Sequence, residues 1–290
     1  MDSAPSIDAP AAAHAFAEPV TGLEPGVLLH RSRHADTVRG RWHGLDVVAK
    51  RIREDLDDPD ARRSAGDGIL REGLLLRRIE HPSIVRVVEV VRQPATLVLE
   101  LVPGRSMREE LKLRRRMPAH EAARVGAQLA DALDHLHRRW ILHRDVKPAN
   151  IIYDGHRAVL IDFHLAKEPG AMRGGAGTRL FAAPEQVRGG HVTTAADVWG
   201  LGTVLYRAVS GRLPFHADSG HPQLTTRPVP VLERLAASRF DGNVHRAEQD
   251  LPPDLAALID RMLADDPALR PSADEVASQL AWLAGGDAVA

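Results

Sequence analysis

The 290-residue sequence contains no cysteine, which excludes disulfide bonds, thiolate zinc sites and a thiol nucleophile. It also lacks an excess of either charge, because 38 Lys and Arg face 39 Asp and Glu. A formal charge of −1 gives no global positive field for nucleic acid or an anionic membrane. No apolar run approaches the roughly 18 residues of a membrane span. We therefore expect no nucleic-acid and no membrane partner.

Aromatic residues are few, at 4%, but 44% of the residues are hydrophobic and 27% are charged. This composition is typical of a globular protein and excludes disorder of the whole chain. The length exceeds the common domain size and predicts one two-lobed unit or two domains. The start, Met1-Asp2-Ser3, lacks the basic and apolar blocks of a signal peptide, so we expect a cytoplasmic protein. The oligomeric state is left open.

Hydrophobic patterning divides the chain into four parts. Residues 1–21 are mostly small or polar and predict a disordered tail. Residues 22–102 alternate short β-like runs with turns around one helix at about 60–79, which indicates a small sheet. Residues 103–285 show mainly helical periodicity, and 286–290 form a short tail. The pattern predicts an α+β protein with a sheet-rich N-lobe and a larger helical C-lobe.

The segment from His143 to Asn150, followed by a strand-like run and Asp162-Phe163-His164, contains the most informative chemistry. Asp145, Asn150 and Asp162 supply oxygen atoms of the kind that a hard divalent cation prefers, and Lys147 adds a compact positive charge. This combination suits a metal–triphosphate. No metal-ligand spacing connects the fifteen histidines, and apart from His143 we expect them at the surface or in loops.

These residues resemble the protein kinase family, and the Lys two residues after Asp145 is typical of its Ser/Thr branch. The resemblance extends over about residues 23–283 through further motifs in the family's order. They are Val47-Val48-Ala49-Lys50, Glu72 before His81-Pro82, Leu99-Glu100-Leu101-Val102, Gly177-Thr178, Ala183-Pro184-Glu185, the run from Asp197 to Gly202, and Asp266-Pro267 with Arg270-Pro271.

The resemblance implies a two-lobed protein kinase fold, ATP and Mg²⁺ as cofactors, and a protein substrate with a Ser or Thr hydroxyl. It assigns catalytic roles to Asp145, Lys147 and Thr178, and metal binding to Asn150 and Asp162. Nucleotide binding falls to Val38, Val48, Lys50, Glu72, Glu100, Val102 and Ile152. It also implies a buried Glu185–Arg270 ion pair, and an Asp197 that accepts hydrogen bonds from the catalytic-loop backbone.

Two departures from the family pattern affect the phosphate site. Counting Gly-x-Gly-x-x-Gly-x-Val back from Val38 gives Arg31, Arg33 and Asp36 in place of the three glycines. Their side chains should constrain the approach of the backbone to phosphate, unless Arg31, Arg33 and His34 supply charge instead. The second departure is His164, which replaces the glycine after Asp162-Phe163. Val48, where the family usually has Ala, should narrow the adenine site slightly.

The retained motifs predict an active Ser/Thr protein kinase. One alternative is a pseudokinase that senses nucleotide or acts as a scaffold, which the glycine-free loop favours. The other is a kinase-fold enzyme for a small molecule, which Lys147 and the segment from Gly177 to Glu185 disfavour.

Thr178 is the only hydroxyl residue in 162–185, so this segment offers almost no site for phosphorylation. We therefore expect Arg144 to pair with a fixed acid such as Glu168, or with solvent, and not with a phosphate.

Overall fold

A computed structural model describes residues 19–175, 177–215, 220–238 and 251–285. These residues form two compact units. The first contains residues 19–80 and 84–102, and the second contains 81–83 and the described residues from 103 to 285. No helix in the described ranges is both long and apolar enough to cross a lipid bilayer.

The first unit is built on a five-stranded antiparallel sheet of order β1-β2-β3-β5-β4. Val47, Ala49 and Val98 lie on one face, where they form an apolar cluster with Val20 and Leu23. The strands are β1 (Leu23–Arg31), β2 (Ala35–Trp42), β3 (Leu45–Ile52), β4 (Val87–Val91) and β5 (Thr96–Glu100).

Among the described residues of this unit there is one helix, α1 (Pro59–Leu76). It begins at Asp58, whose side chain accepts from two backbone amides of the first turn. Gly73 faces β4 and β5 so closely that an added Cβ would lie 2.7 Å from a methyl of Val90. The absence of a side chain at Gly73 therefore lets the helix pack tightly against the sheet.

The predicted disordered tail falls almost entirely outside the described residues, as does the predicted tail 286–290. Val20, near the end of the predicted tail, is ordered, which corrects the prediction at this residue. Its side chain is buried with Leu23 and Val47, and its carbonyl accepts a hydrogen bond from the Leu23 amide. Burial of this one large apolar side chain adds the residue to the sheet core.

The second unit is mainly helical. The longest helix, α3, buries Leu129, Leu133 and Leu136 along one face, and α5 is buried along most of its length. Ser106 and Glu109 form a reciprocal cap at the start of α2. The helices are α2 (Met107–Arg114), α3 (Ala119–His137), α4 (Pro184–Arg188), α5 (Ala195–Ser210), α6 (Val231–Ser238), α7 (Pro253–Met262) and α8 (Ala273–Gly285).

Two small sheets position the loops of the second unit. One has the order β6-β7-β8 and the other pairs β9 with β10, all antiparallel. The loop before β7 and the chain after β8 contain the polar residues of the sequence motifs. The strands are β6 (Arg105–Ser106), β7 (Ile151–Tyr153), β8 (Ala158–Leu160), β9 (Gly170–Met172) and β10 (Gly190–Val192).

Candidate active site

Lys50 and Glu72 form the predicted ion pair in the first unit. Lys50 Nζ lies 2.8 Å from Glu72 Oε2, and the Glu72 side chain is only 2% exposed. Lys50 comes from β3 and Glu72 from α1, so the pair depends on the packing of this helix against the sheet. A buried carboxylate is costly without such a partner. The pair therefore holds the Lys50 ammonium in one place.

Val38 does not lie where the resemblance placed it, and this prediction is wrong. It pairs directly with Ala49 across β2 and β3, and directly paired residues share a face of the sheet. Val48 and Lys50 lie on the opposite face, because side chains alternate along a strand. Val38 is also completely buried. A shift of one residue in the motif alignment moves a side chain to the other face, which explains the error.

The register also corrects the positions of the expected glycines. Thr37 pairs directly with Lys50, so it is the residue on the Lys50 face. Counting back from Thr37 selects His30, Ser32 and Ala35. The Ser32 amide donates to the Ala35 carbonyl at 2.8 Å. The β1–β2 hairpin thus turns between Ser32 and Ala35, and neither count finds a glycine.

An ion pair closes this hairpin next to its turn. The Arg31 guanidinium donates two hydrogen bonds of 2.8 Å to the carboxylate of Asp36, which is 2% exposed. Arg31 uses its Nε and Nη2 for Asp36, and the hypothesis that its charge contacts phosphate stays a prediction. Arg33, at the centre of the turn, is exposed. The hairpin is therefore stiffened by a bidentate charge pair where the family uses glycine.

The other predicted nucleotide residues lie at the ends and faces of strands. Glu100 ends β5, and its carboxylate accepts a hydrogen bond from the Arg86 amide at 3.0 Å. Val48 and Val102 are half-buried in the first unit, and Ile152 is half-buried in β7 of the second. Adenine binding by the Glu100 carbonyl and the Val102 amide stays a prediction.

Asp145 is the centre of a dense network in the second unit. Its side chain is 3% exposed, and Lys147 Nζ lies 2.6 Å from its Oδ2. Thr178 Oγ1 donates to Oδ1 at 2.8 Å and accepts from Lys147 at 2.8 Å. The Thr178 amide also donates to Oδ1 at 3.2 Å. The carboxylate is thus oriented by three groups from two separate loops.

Asn150 extends the network towards Asp162. Its side-chain nitrogen donates to the carbonyl and to Oδ2 of Asp145, at 3.0 and 3.1 Å. These two acceptors determine the orientation of the amide and turn its oxygen away from Asp145. The Ile161 amide donates to the Asn150 carbonyl at 2.9 Å, so Asp162 follows directly after this contact. Asn150 and Asp162 are thereby brought into one part of the unit.

The donor set of Asn150 and Asp162 fits Mg²⁺. Mg²⁺ prefers oxygen ligands and is usually held by one or two carboxylates together with substrate phosphates and water. The Asp162 side chain is 32% exposed, so a ligand can reach it. Within the described ranges, no group of three or more His, Asp or Glu residues is arranged to hold a metal ion. A cation at this pair would therefore depend on phosphate oxygens for its remaining ligands.

Asp197 binds the backbone of the catalytic loop, residues 143–150, as predicted. It is 1% exposed and accepts hydrogen bonds from the amides of His143 and Arg144 at 2.9 and 2.7 Å. His137 Nε2 lies 2.9 Å from Asp197 Oδ2. Burial raises the pKa of Asp197, but His137, His143 and the Arg144 amide together outweigh it and lower the pKa overall. His137 was expected at the surface and is instead a buried partner of this acid.

His143 is a neutral core residue. Its Nδ1 accepts from the Asp145 amide at 3.3 Å, and its Nε2 donates to the Ile161 carbonyl at 3.3 Å. Its ring meets Phe163 edge-on, with centroids 4.6 Å apart. Complete burial lowers the pKa of His143, which agrees with this neutral tautomer. His143 therefore connects the catalytic loop to the segment that contains Asp162.

Arg144 pairs with a backbone group and not with the predicted acid. Its Nη2 donates to the carbonyl of Glu168 at 2.5 Å. Burial lowers the pKa of Arg144, and its Nε has no partner among the described residues. Residues 162–175 are also held by two backbone hydrogen bonds between Leu142 and Lys167, and by pairing of β9 with β10.

The segment after Thr178 is fixed by side chains from three elements. Arg270 donates to both carboxylate oxygens of Glu185 at 2.6 and 2.9 Å, which confirms the predicted ion pair. Sequence reasoning missed Gln186 and Gln223. Gln186 donates to the Arg144 carbonyl at 3.0 Å, and Gln223 donates to the Arg179 carbonyl at 2.6 Å. Both are buried, and no sequence signal distinguishes them because glutamine is usually exposed.

Comparison with known proteins agrees with this geometry. Residues 35–282 match the model of the protein kinase domain. The match begins just after the glycine-free turn. The chain is 32% identical over 285 residues to CBL-interacting protein kinase 4 of Oryza sativa subsp. japonica, covering 91% of this chain and 58% of that protein.

Two bacterial proteins are similar to the same degree. The chain is 34% identical over 259 residues to serine/threonine-protein kinase PkaA of Streptomyces coelicolor, covering 84% of this chain and 44% of PkaA. It is also 34% identical to serine/threonine-protein kinase pkn2 of Myxococcus xanthus, covering 82% and 29%. The chain thus spans 29% to 58% of the length of these relatives. With the domain match and the assembled motifs, these similarities establish that the chain belongs to the protein kinase family.

Proposed function

We propose that this protein transfers the γ-phosphoryl group of ATP to a Ser or Thr hydroxyl of a protein substrate. The observation that supports it best is the network of Asp145, Lys147 and Thr178, with distances of 2.6 to 2.8 Å between their side chains. Such a network orients a carboxylate for a hydroxyl and places a positive charge beside it. Membership of the family and the names of the bacterial relatives support the same activity.

The proposed chemistry divides the work among these residues. The substrate hydroxyl oxygen forms a bond to the γ-phosphorus, the bond to the β–γ bridging oxygen breaks, and ADP leaves. Asp145 orients the hydroxyl and accepts its proton. Lys147 stabilises negative charge on the transferred group. Thr178 holds the Lys147 and Asp145 side chains in position through its hydrogen bonds to both.

Asn150 and Asp162 would hold Mg²⁺, which neutralises charge on the β- and γ-oxygens when bound. Lys50, fixed by Glu72, would bind the α- and β-oxygens. Gln186 and Gln223 hold the chain after Thr178, which supports a role for that segment in receiving a peptide. The absence of cysteine supports a reducing, cytoplasmic setting.

The pseudokinase alternative is favoured by one observation, the glycine-free β1–β2 hairpin. The network at Asp145 argues against it, because a module that only bound nucleotide would not require four hydrogen-bond donors on this carboxylate. The two functions differ in turnover, and a transfer assay separates them.

The test is an assay of the purified protein with Mg²⁺, labelled ATP and a generic basic protein substrate. Asp145→Asn should fold and bind nucleotide but lose transfer by several orders of magnitude, since the hydroxyl loses its carboxylate. Asp254→Asn, an exposed change in the first turn of α7, is the matched control and should keep parental activity. Transfer by Asp145→Asn above about a tenth of the parental rate, a barrier change below roughly 1.4 kcal/mol, would contradict the role of Asp145. Absence of transfer by the parent protein would favour the pseudokinase.

A further inference from the structure

His164 contacts the carboxylate that is expected to bind the cation. Its Nδ1 lies 3.0 Å from Asp162 Oδ1. An ionised carboxylate only accepts hydrogen bonds, so Nδ1 is the donor in this contact. The family's glycine has no side chain to make it. The substitution therefore adds a hydrogen bond that the motif normally lacks.

The backbone at this position does not require glycine. Asp162 has a φ of +64°, whereas His164 is not among the non-glycine residues with positive φ. The strained conformation thus belongs to the Asp, which tolerates the left-handed region better than most residues. The His164 backbone is therefore not strained. The effect of having histidine here instead of glycine must come from its side chain.

The donor is attached to a firmly anchored turn. Phe163, between the two residues, is 1% exposed and packs edge-on against His143. The Ala166 amide donates to the Phe163 carbonyl at 2.9 Å, which closes the turn that contains His164. The terminal torsion of an Asp carboxylate is soft, with a broad range of orientations. A hydrogen bond from His164, whose backbone lies in this anchored turn, restricts that torsion.

We propose that His164 is a positioning residue that orients the Asp162 carboxylate for the divalent cation of the metal–nucleotide complex. This inference rests on the proposed function. Groups that hydrogen-bond to a metal-binding side chain orient it, and their loss typically weakens metal binding by about 10- to 100-fold. His164 would thereby strengthen cation binding at a site that has few protein ligands.

The experiment measures the gain in nucleotide affinity that Mg²⁺ provides, without any turnover. The dissociation constant of a non-hydrolysable ATP analogue is determined by calorimetry in EDTA and in Mg²⁺, and their ratio is the metal-dependent gain. His164→Ala and His164→Gly should each reduce this gain by about tenfold while leaving the constant in EDTA unchanged. His164→Asn, whose amide nitrogen occupies nearly the position of Nδ1, should keep the gain within about threefold.

Asp162→Ala provides the lower limit, and His156→Ala, an exposed histidine in a turn of the same unit, should behave as the parent. The inference is wrong if His164→Ala and His164→Gly keep the parental gain. It is also wrong if His164→Gly keeps the gain and His164→Ala loses it, because backbone freedom would then explain the effect. A parent protein that shows no gain from Mg²⁺ contradicts the proposed function, and the inference with it. That result differs from a failure confined to the His164 variants.

Discussion

At the scale of single residues, the catalytic loop is held by a buried acid whose partner is a histidine. Asp197 accepts hydrogen bonds from two loop amides and also contacts the His137 imidazole. The Asp197 side chain is completely buried, so removal of His137 would take one of three partners from a buried carboxylate. This arrangement makes His137 a stability residue, although it touches no predicted substrate group.

We therefore expect His137→Ala to lower the free energy of unfolding by about 1–3 kcal/mol, the cost of removing one hydrogen-bond partner from a buried carboxylate. Urea denaturation measures this change. His156→Ala, at an exposed position, is the control and should change stability by less than about 0.5 kcal/mol. A His137→Ala protein as stable as the control would show that Asp197 does not need this partner.

The motif residues could be predicted one by one, but their environment could not. Lys50 with Glu72, and Asp145 with Lys147, lie together as expected, because residue type and spacing carried that information. His137 was missed, although it follows Leu133 by four residues and so extends the buried face of α3. That spacing was the available signal. Its partner Asp197 is sixty residues away, and no local pattern indicates a contact at that distance.

At the scale of elements, the β1–β2 hairpin shows how a loop can lose its glycines. Arg31 and Asp36 are directly paired in the register, and their bidentate contact holds the strands together next to the turn. The sequence showed that glycines were missing but not that Arg31 and Asp36 bind each other. It also misplaced Val38 by one position, since a motif count contains no information about which residues pair across strands.

Arg31→Ala and Asp36→Ala should each speed amide hydrogen exchange in β1 and β2, because each removes the charge pair. In a double-mutant cycle the coupling free energy should be about 0.5–1 kcal/mol, since the Arg31 side chain is 45% exposed and water screens the pair. The turn residue Arg33, which is exposed, supplies the control variant Arg33→Ala. If the changes in the free energy of unfolding of the two single variants simply add in the double variant, the contact does not stabilise the hairpin.

The segment from 162 to 185 is held without any site for a stabilising phosphate. Arg144 donates to the Glu168 carbonyl, and β9 pairs with β10. Thr178, its only hydroxyl residue, already binds Asp145 and Lys147, and a phosphate there would add negative charge beside Asp145.

We expect phosphatase treatment to leave activity unchanged, and self-phosphorylation to fall outside residues 162–185, for example on Ser3, Ser6 or Thr21. Mass spectrometry of the treated and untreated protein, with a transfer assay on each, measures both. Loss of activity together with loss of phosphate from this segment would refute the expectation.

At the scale of the whole molecule, the change from a sheet-rich to a helical part could be predicted, because strand and helix periodicities differ. The assignment of residues 81–83 to the second unit could not be predicted. They lie between two stretches of the first unit but belong to the second. There the Ser83 carbonyl accepts from Leu160, the Pro82 carbonyl accepts from Arg157, and His81 contacts Asp131. Such long-range contacts are invisible to a reading of neighbouring residues.

Stability of the whole protein should fall as the pH drops below about 6.5. Burial lowers the pKa of His143 and of His135, so both bind protons more weakly in the folded state than in the unfolded chain, where the ordinary pKa of 6.5 applies. The unfolded state therefore binds more protons and is favoured by acid. Asp197 does not contribute in this window, because its pKa is below the ordinary value of 3.8 and its stabilising effect is lost only at lower pH.

Urea denaturation at about pH 8 and about pH 5.5 should therefore show a loss of about 1–2 kcal/mol, within the limit of 1.36 kcal/mol per pH unit for each histidine. His135→Gln should reduce this loss, because one of the two groups no longer titrates, while the contribution of His143 persists. The exposed His156→Ala variant should reproduce the parental dependence. A free energy of unfolding that is constant or higher at the lower pH would mean that His143 and His135 bind protons in the folded protein as readily as in the unfolded chain.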